Sequence, residues 1–142
     1  MAKEANGYNW SDAWLLLSII HASRRGGATL DKIIEAGDGI NVSIFTPEEM
    51  ESGLSRLTAG GYIEEKGGAF FITGQLAGQL LRTKILSRYI HKQLEDITKL
   101  IGAASPTAVQ PNPNNLQYPG FSKELFDEAY KKYVDRVANG ST

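Results

Sequence analysis

No cysteine occurs among the 142 residues of the chain. That excludes disulfides, thiol catalysis and cysteine-ligated zinc or iron–sulfur sites. Histidine is nearly as scarce. His21 and His91 are the two present, and they lie on different predicted helices with no second histidine near either. His21 reads as a partly buried residue closing a helix and His91 as a solvated one, so neither a metal centre nor an imidazole base is expected. A basic excess is also missing. Fifteen Lys and Arg stand against sixteen Asp and Glu, a net charge of −1, whereas nucleic-acid binders draw much of their affinity from positive surface. Long apolar runs are absent as well. The longest, residues 13–20, is broken by Ser18 and is too short to span a bilayer, and residues 1–7 show no secretory pattern. These absences predict a soluble, cytoplasmic protein with no membrane contact, cofactor or metal.

Enough apolar residues are present, at 42%, to build a core without metal or disulfide support. Residues 1–9 read as disordered. Ser11 suits a helix N-cap, with Asp12 in the first turn, and Trp10 and Trp14 lie one turn apart on the helix that follows. That helix is apolar nearly all round, hence buried, and stops at Arg24-Arg25-Gly26-Gly27. Thr29 caps a short second helix with Leu30, Ile33 and Ile34 at helical spacing, ended by Gly37. Residues 38–45 form a loop whose apolar side chains are expected to pack down.

Thr46-Pro47-Glu48-Glu49 is the sharpest local signal, a capping box with proline at the first helical position. The third helix carries Met50, Leu54 and Leu57 as its apolar stripe and runs to Gly60-Gly61. Residues 62–66 and 69–73 predict two strands joined by the Gly67-Gly68 turn. A long fourth helix is expected from about Gln75 to Ile101, with Leu86, Ile90, Leu94, Ile97 and Ile101 on one face. Residues 102–120 hold four prolines among Ala, Ser, Asn and Gln and read as a linker with no core of their own. Ser122 caps a last helix, 121–138, bearing Leu125, Phe126, Tyr130, Tyr133, Val134 and Val137. The fold class is mainly α with a small β-hairpin, and the expected core is Trp14, Leu17, Ile20, Ile33, Ile34, Leu54, Leu57, Ile63, Phe71 and Ile72.

Leu54-x-x-Leu57-x-x-Gly60-Gly61-Tyr62-Ile63, then the hairpin, then Phe71-Ile72-Thr73 opening a leucine-rich helix, resembles the winged helix-turn-helix superfamily. It looks most like small bacterial regulators of the MarR and PadR kind. The likeness covers residues 10–81 and makes 10–101 a winged-helix domain with a long fourth helix. It implies a dimeric DNA-binding transcriptional regulator, with Arg24, Arg25, Ser52, Ser55, Arg56 and Lys66 as the DNA contacts. It also implies a homodimer face from Leu86, Ile90, Leu94, Ile97, Phe126, Tyr130 and Tyr133, since PadR-like proteins pair through C-terminal helices.

The third helix departs from that pattern, carrying Glu48, Glu49 and Glu51 against Arg56 alone. Winged helices also serve as protein-docking modules, so the alternative is a protein–protein interaction module without DNA binding. Arg82, Lys84, Arg88, His91, Lys92 and Lys99 form a basic helical face, which is the usual composition of a solvated one. Asp38-Gly39-Ile40-Asn41-Val42-Ser43 places apolar residues where a calcium loop needs oxygens, and no phosphate-binding glycine loop is present. No residue set supports an enzyme.

Overall fold

A computed structural model of the chain describes residues 7–23, 26–83, 89–104 and 118–139. Among these, six helices and one two-stranded antiparallel hairpin follow in the order α1 (Trp10–Ala22), α2 (Leu30–Asn41), α3 (Pro47–Ala59), β1 (Ile63–Lys66), β2 (Ala69–Ile72), α4 (Gly74–Thr83), α5 (Ile90–Ile101) and α6 (Lys123–Ala138). None of the helices among the described residues is long and apolar enough to cross a membrane.

Helix α1 is the hub. Residues 12–19 are all buried, and the helix packs against α2, α3 and α5. Its apolar circumference is what makes three-sided packing favourable. The N-cap is Asn9 rather than Ser11, and Asp12 reaches back to accept the Asn9 backbone N–H at 2.8 Å. Thr46 and Glu49 cap α3 reciprocally, at 3.0 and 2.9 Å, as the sequence predicts. Ser122 caps α6 through the Leu125 N–H.

Helix α2 does not stop at Gly37. It continues to Asn41 and closes on Val42 in the left-handed region, at φ 50°. Gly37 is there for packing. A Cβ at this position would collide with the edge of Phe45, and the Gly37 carbonyl accepts the buried Trp14 indole N–H at 2.9 Å. Trp14 and Phe45 stack with centroids 3.8 Å apart, so Phe45 does pack down as expected, while Val42 is left exposed.

In the hairpin, Ile63 pairs with Ile72 and Lys66 with Ala69 across Gly67-Gly68. Both glycines have positive φ, 60° and 82°, which suits the twist of a two-residue turn. On its other side β2 exchanges two backbone hydrogen bonds with Ala28, at 2.8 and 2.9 Å. That pairing turns Phe70 into the core; Phe71 and Ile72, expected there, are half-buried, as is Ile20. The run Ala-Phe-Phe-Ile lacks the alternation that would have set its phase. Trp14, Leu17, Ile33, Ile34, Leu54, Leu57 and Ile63 are buried as expected.

The expected long fourth helix is two helices. Tyr89 has extended backbone, φ −98° and ψ 121°, and interrupts it. A straight helix over 75–101 would reach roughly 40 Å at 1.5 Å per residue, well past the core. Breaking lets Leu76 and Leu80 be buried from α4, and Leu94, Ile97 and Ile101 from α5.

Candidate functional site

Any reading that turns on the third helix requires outward side chains, and α3 has few. Of its thirteen residues only Glu48 and Ala59 are exposed. Ser52 is buried. Its hydroxyl donates to the Glu48 carbonyl at 2.9 Å and accepts from Arg56 Nη2 at 3.2 Å. The Ser55 hydroxyl is sealed from solvent. Arg56 grips Asp12 with two bonds, Nε to Oδ2 at 2.7 Å and Nη2 to Oδ1 at 3.1 Å. The Asp12 side chain is 0% exposed and that of Arg56 15%. A guanidinium in that position is not free for phosphate, because withdrawing it strands a buried carboxylate at a cost of about 3–5 kcal/mol.

Lys66 stands at the hairpin tip, 70% exposed, with Nζ 3.7 Å from Glu64 and 5.9 Å from the Phe71 ring centroid. Arg24 and Arg25 lie outside the described residues, as do Leu86 and residues 105–117 of the linker. The hexad of expected DNA contacts is therefore not brought together among the described residues. The described part offers one outward cation, a buried serine, a sealed hydroxyl and an arginine spent on Asp12.

Chain expected to be structureless instead packs beside α3. Tyr8 sets its ring edge-on to Tyr62 at 6.0 Å, and its hydroxyl lies 3.4 Å from the Arg56 carbonyl. The Ala104 N–H donates to the Tyr8 carbonyl at 3.0 Å. The Tyr118 N–H donates to Glu51 Oε2 at 3.0 Å, and the Tyr118 ring lies 5.7 Å from that of Phe70. Burial, and then the neighbouring Glu65 carboxylate, push the Tyr118 hydroxyl above the usual phenol range.

Between the hairpin, the start of α2 and α6 lies an open cleft of about 350 Å³. Leu30, Phe70, Tyr118, Phe121, Leu125 and Ala129 supply its apolar walls. Glu65, Glu128, Asp31 and Lys132 line it as well. Asp31 is committed elsewhere. Burial raises its carboxyl, but the Thr29 hydroxyl and the Arg136 guanidinium outweigh burial and hold it below the usual carboxylate range.

The C-terminal helix packs back on its own chain. It lies on α2, where Arg136 bridges Asp31 at 3.1 Å and Glu35 at 2.7 Å, and the Tyr133 hydroxyl donates to Asp38 at 2.7 Å. That bond, with some burial behind it, pushes the Tyr133 phenol up to about 12. Of the expected dimer face, Leu94, Ile97 and Phe126 are buried within this chain, and Tyr133 and Ile90 are half-buried. The reason is geometric: the break at Tyr89 lays the α5 stripe on α1, where it meets the chain's own core. Tyr130 is exposed, and with Val134 and Val137 makes an outward stripe at helical spacing.

His91 is exposed, and His21 Nε2 lies 2.8 Å from Gln93 Oε1, tying α1 to α5. Among the described residues no three His, Asp or Glu gather into a group able to hold a metal ion. The residues that sequence reasoning missed are Asp12 as the partner of Arg56, Phe70, and the Tyr118-Pro119-Gly120-Phe121 turn. The signal for the last was available, since two aromatics around Pro-Gly are foreign to a solvated linker. Compared with known protein families, with curated proteins and with solved structures, the chain matches none.

Proposed function

We propose that the chain is a non-catalytic winged-helix module that docks a protein partner and does not read DNA with its third helix. The bidentate Arg56–Asp12 pair carries this reading, because it removes the one cation that α3 has. The winged-helix part is supported by the order helix, Ala28 bridge, helix, helix, hairpin. Glu48 exposed and Glu49 and Glu51 half-exposed on α3 repel phosphate further.

A second reading, the dimeric DNA-binding regulator, is favoured by two observations. Lys66 stands exposed at the hairpin tip, where its 3.7 Å contact with the exposed Glu64 is weak enough to yield to a phosphate, and Tyr130, Val134 and Val137 offer a self-association stripe. A dimer doubles the contacts and spans two half-sites one duplex turn apart.

Fluorescence anisotropy with random duplex at about 50 mM salt, where phosphate contacts contribute most, separates the two. The expected result is no binding at micromolar protein. Saturable binding with a steep salt dependence, weakened by Lys66→Ala, overturns the docking reading in favour of the regulator.

A further inference from the structure

The walls of the 350 Å³ cleft are aromatic and aliphatic, yet the charges at its mouth are unbalanced. Glu65 and Glu128 are both exposed, and among the described residues neither carboxylate is paired with a cation inside the cleft. Glu65 sits beside the Tyr118 hydroxyl, and Glu64, its neighbour, takes Lys66. Asp31 is already neutralised by Arg136. Among the described residues Lys132 is the single cation lining the cleft, so the mouth they form keeps an acidic surplus. The cleft is at the small end of ligand sites; it holds one large side chain and little more.

We propose that this cleft is the docking site of the module and that its occupant is a basic peptide segment with one large aromatic side chain flanked by Lys or Arg. The aromatic ring stacks among Phe70, Tyr118 and Phe121 as a buried anchor, which is how a few side chains come to carry most of an interface. The flanking cations reach Glu65 on one lip and Glu128 on the other. Charge complementarity selects this occupant. An acidic peptide brings like charge to both lips, and a neutral apolar one partly desolvates both carboxylates without bringing a cation to offset it. The aromatic faces add attraction for a cation that leans over them. The proposal rests on the protein-docking reading and names the chemistry of its partner.

The test is titration of the full-length, isotopically labelled protein with the capped tripeptides Lys-Trp-Lys and Glu-Trp-Glu, followed by amide shifts. Lys-Trp-Lys is expected to move Phe70, Phe121, Leu125 and Glu128 and to bind about two- to thirtyfold tighter than its acidic counterpart, the range two exposed ion pairs supply. Glu65→Lys and Glu128→Lys, both at exposed positions that leave the core intact, each lower that preference, and Glu124→Lys, exposed on α6 outside the cleft, leaves it unchanged. Equal binding of the two peptides, shifts confined to α5, or no shifts at millimolar peptide overturns the proposal. The duplex titration is independent of all three outcomes, so losing the cleft leaves the docking reading standing, and DNA binding removes that reading whatever the peptides do.

Discussion

Helix α1 is apolar nearly all round by sequence and helix α6 carries its apolar residues on one face, and the two sit in the structure in opposite ways. Residues 12–19 of α1 are buried without exception, including Asp12 and Ser18. Over its sixteen residues α6 buries two, Phe126 and Ala129, and is otherwise held by Tyr133 and Arg136 reaching polar groups of α2. One helix is fixed by apolar area from three sides, the other by one aromatic and a set of directional bonds at the surface. Apolar burial contributes about 25 cal/mol per Å², whereas exposed ion pairs contribute about 0.2–1 kcal/mol each. The global stability of the chain therefore resides around α1, and α6 is a local unit that can loosen first.

The largest expected effect comes from the α1 side. Leu54→Ala removes a fully buried side chain of α3 and is expected to cost about 2–5 kcal/mol in urea unfolding, with every probe shifting together. A change under ~1 kcal/mol breaks the assignment of stability to this region. Next comes Phe126→Ala, expected to cost about 1–2 kcal/mol, low for a buried aromatic because one face of α6 is open to water. Hydrogen exchange sharpens the contrast. Amides of α6 lose protection while those of α1 keep theirs, and uniform loss across both would show that the two regions unfold as one.

The smallest effect is a matter of pH. The Tyr133 phenol titrates at about 12 in the folded chain against an ordinary 10.0, so its neutral form is favoured by folding. That contribution is complete below pH 10 and fades as pH rises through about 12. Asp31 is shifted the other way, below 3.8, so its contribution is present above that value and lost as pH falls further. Docking of α6 should weaken at both extremes. Tyr133→Phe is expected to cost roughly 0.5–1 kcal/mol and to remove a late phenolate transition from the ultraviolet titration. An unchanged titration curve would place that transition on Tyr8 or Tyr118 instead.

The α3 capping box and the hairpin turn were legible because their chemistry is local. Thr46, Pro47 and Glu49 satisfy the orphan amides of α3 with neighbours three residues away, and Gly67-Gly68 supplies positive φ wherever the hairpin is placed. The core stripe of α3 was legible for the same reason. Three features were not. Gly37 carries the composition of a helix stop, and only contact with Phe45 and Trp14 shows it to be a packing glycine. The run 69–72 is apolar on both faces, and the Ala28 bridge decides that Phe70 points inward. The stripe of α5 reads equally well as a seam for a second subunit, until the break at Tyr89 lays it on α1.

The candidate site follows the same division. By itself the sequence determined that α3 is short of cations and that the C-terminal helix carries aromatics needing cover. Tertiary structure alone decided that Arg56 meets Asp12, forty-four residues away, and that the Tyr118 turn closes one wall of an acidic-lipped cleft. The physical reason is range. Backbone capping and helical periodicity act over three or four residues and are written in the chain. Neutralising a buried carboxylate, or choosing which face of a strand is dry, depends on partners that only the packed fold brings within 3 Å.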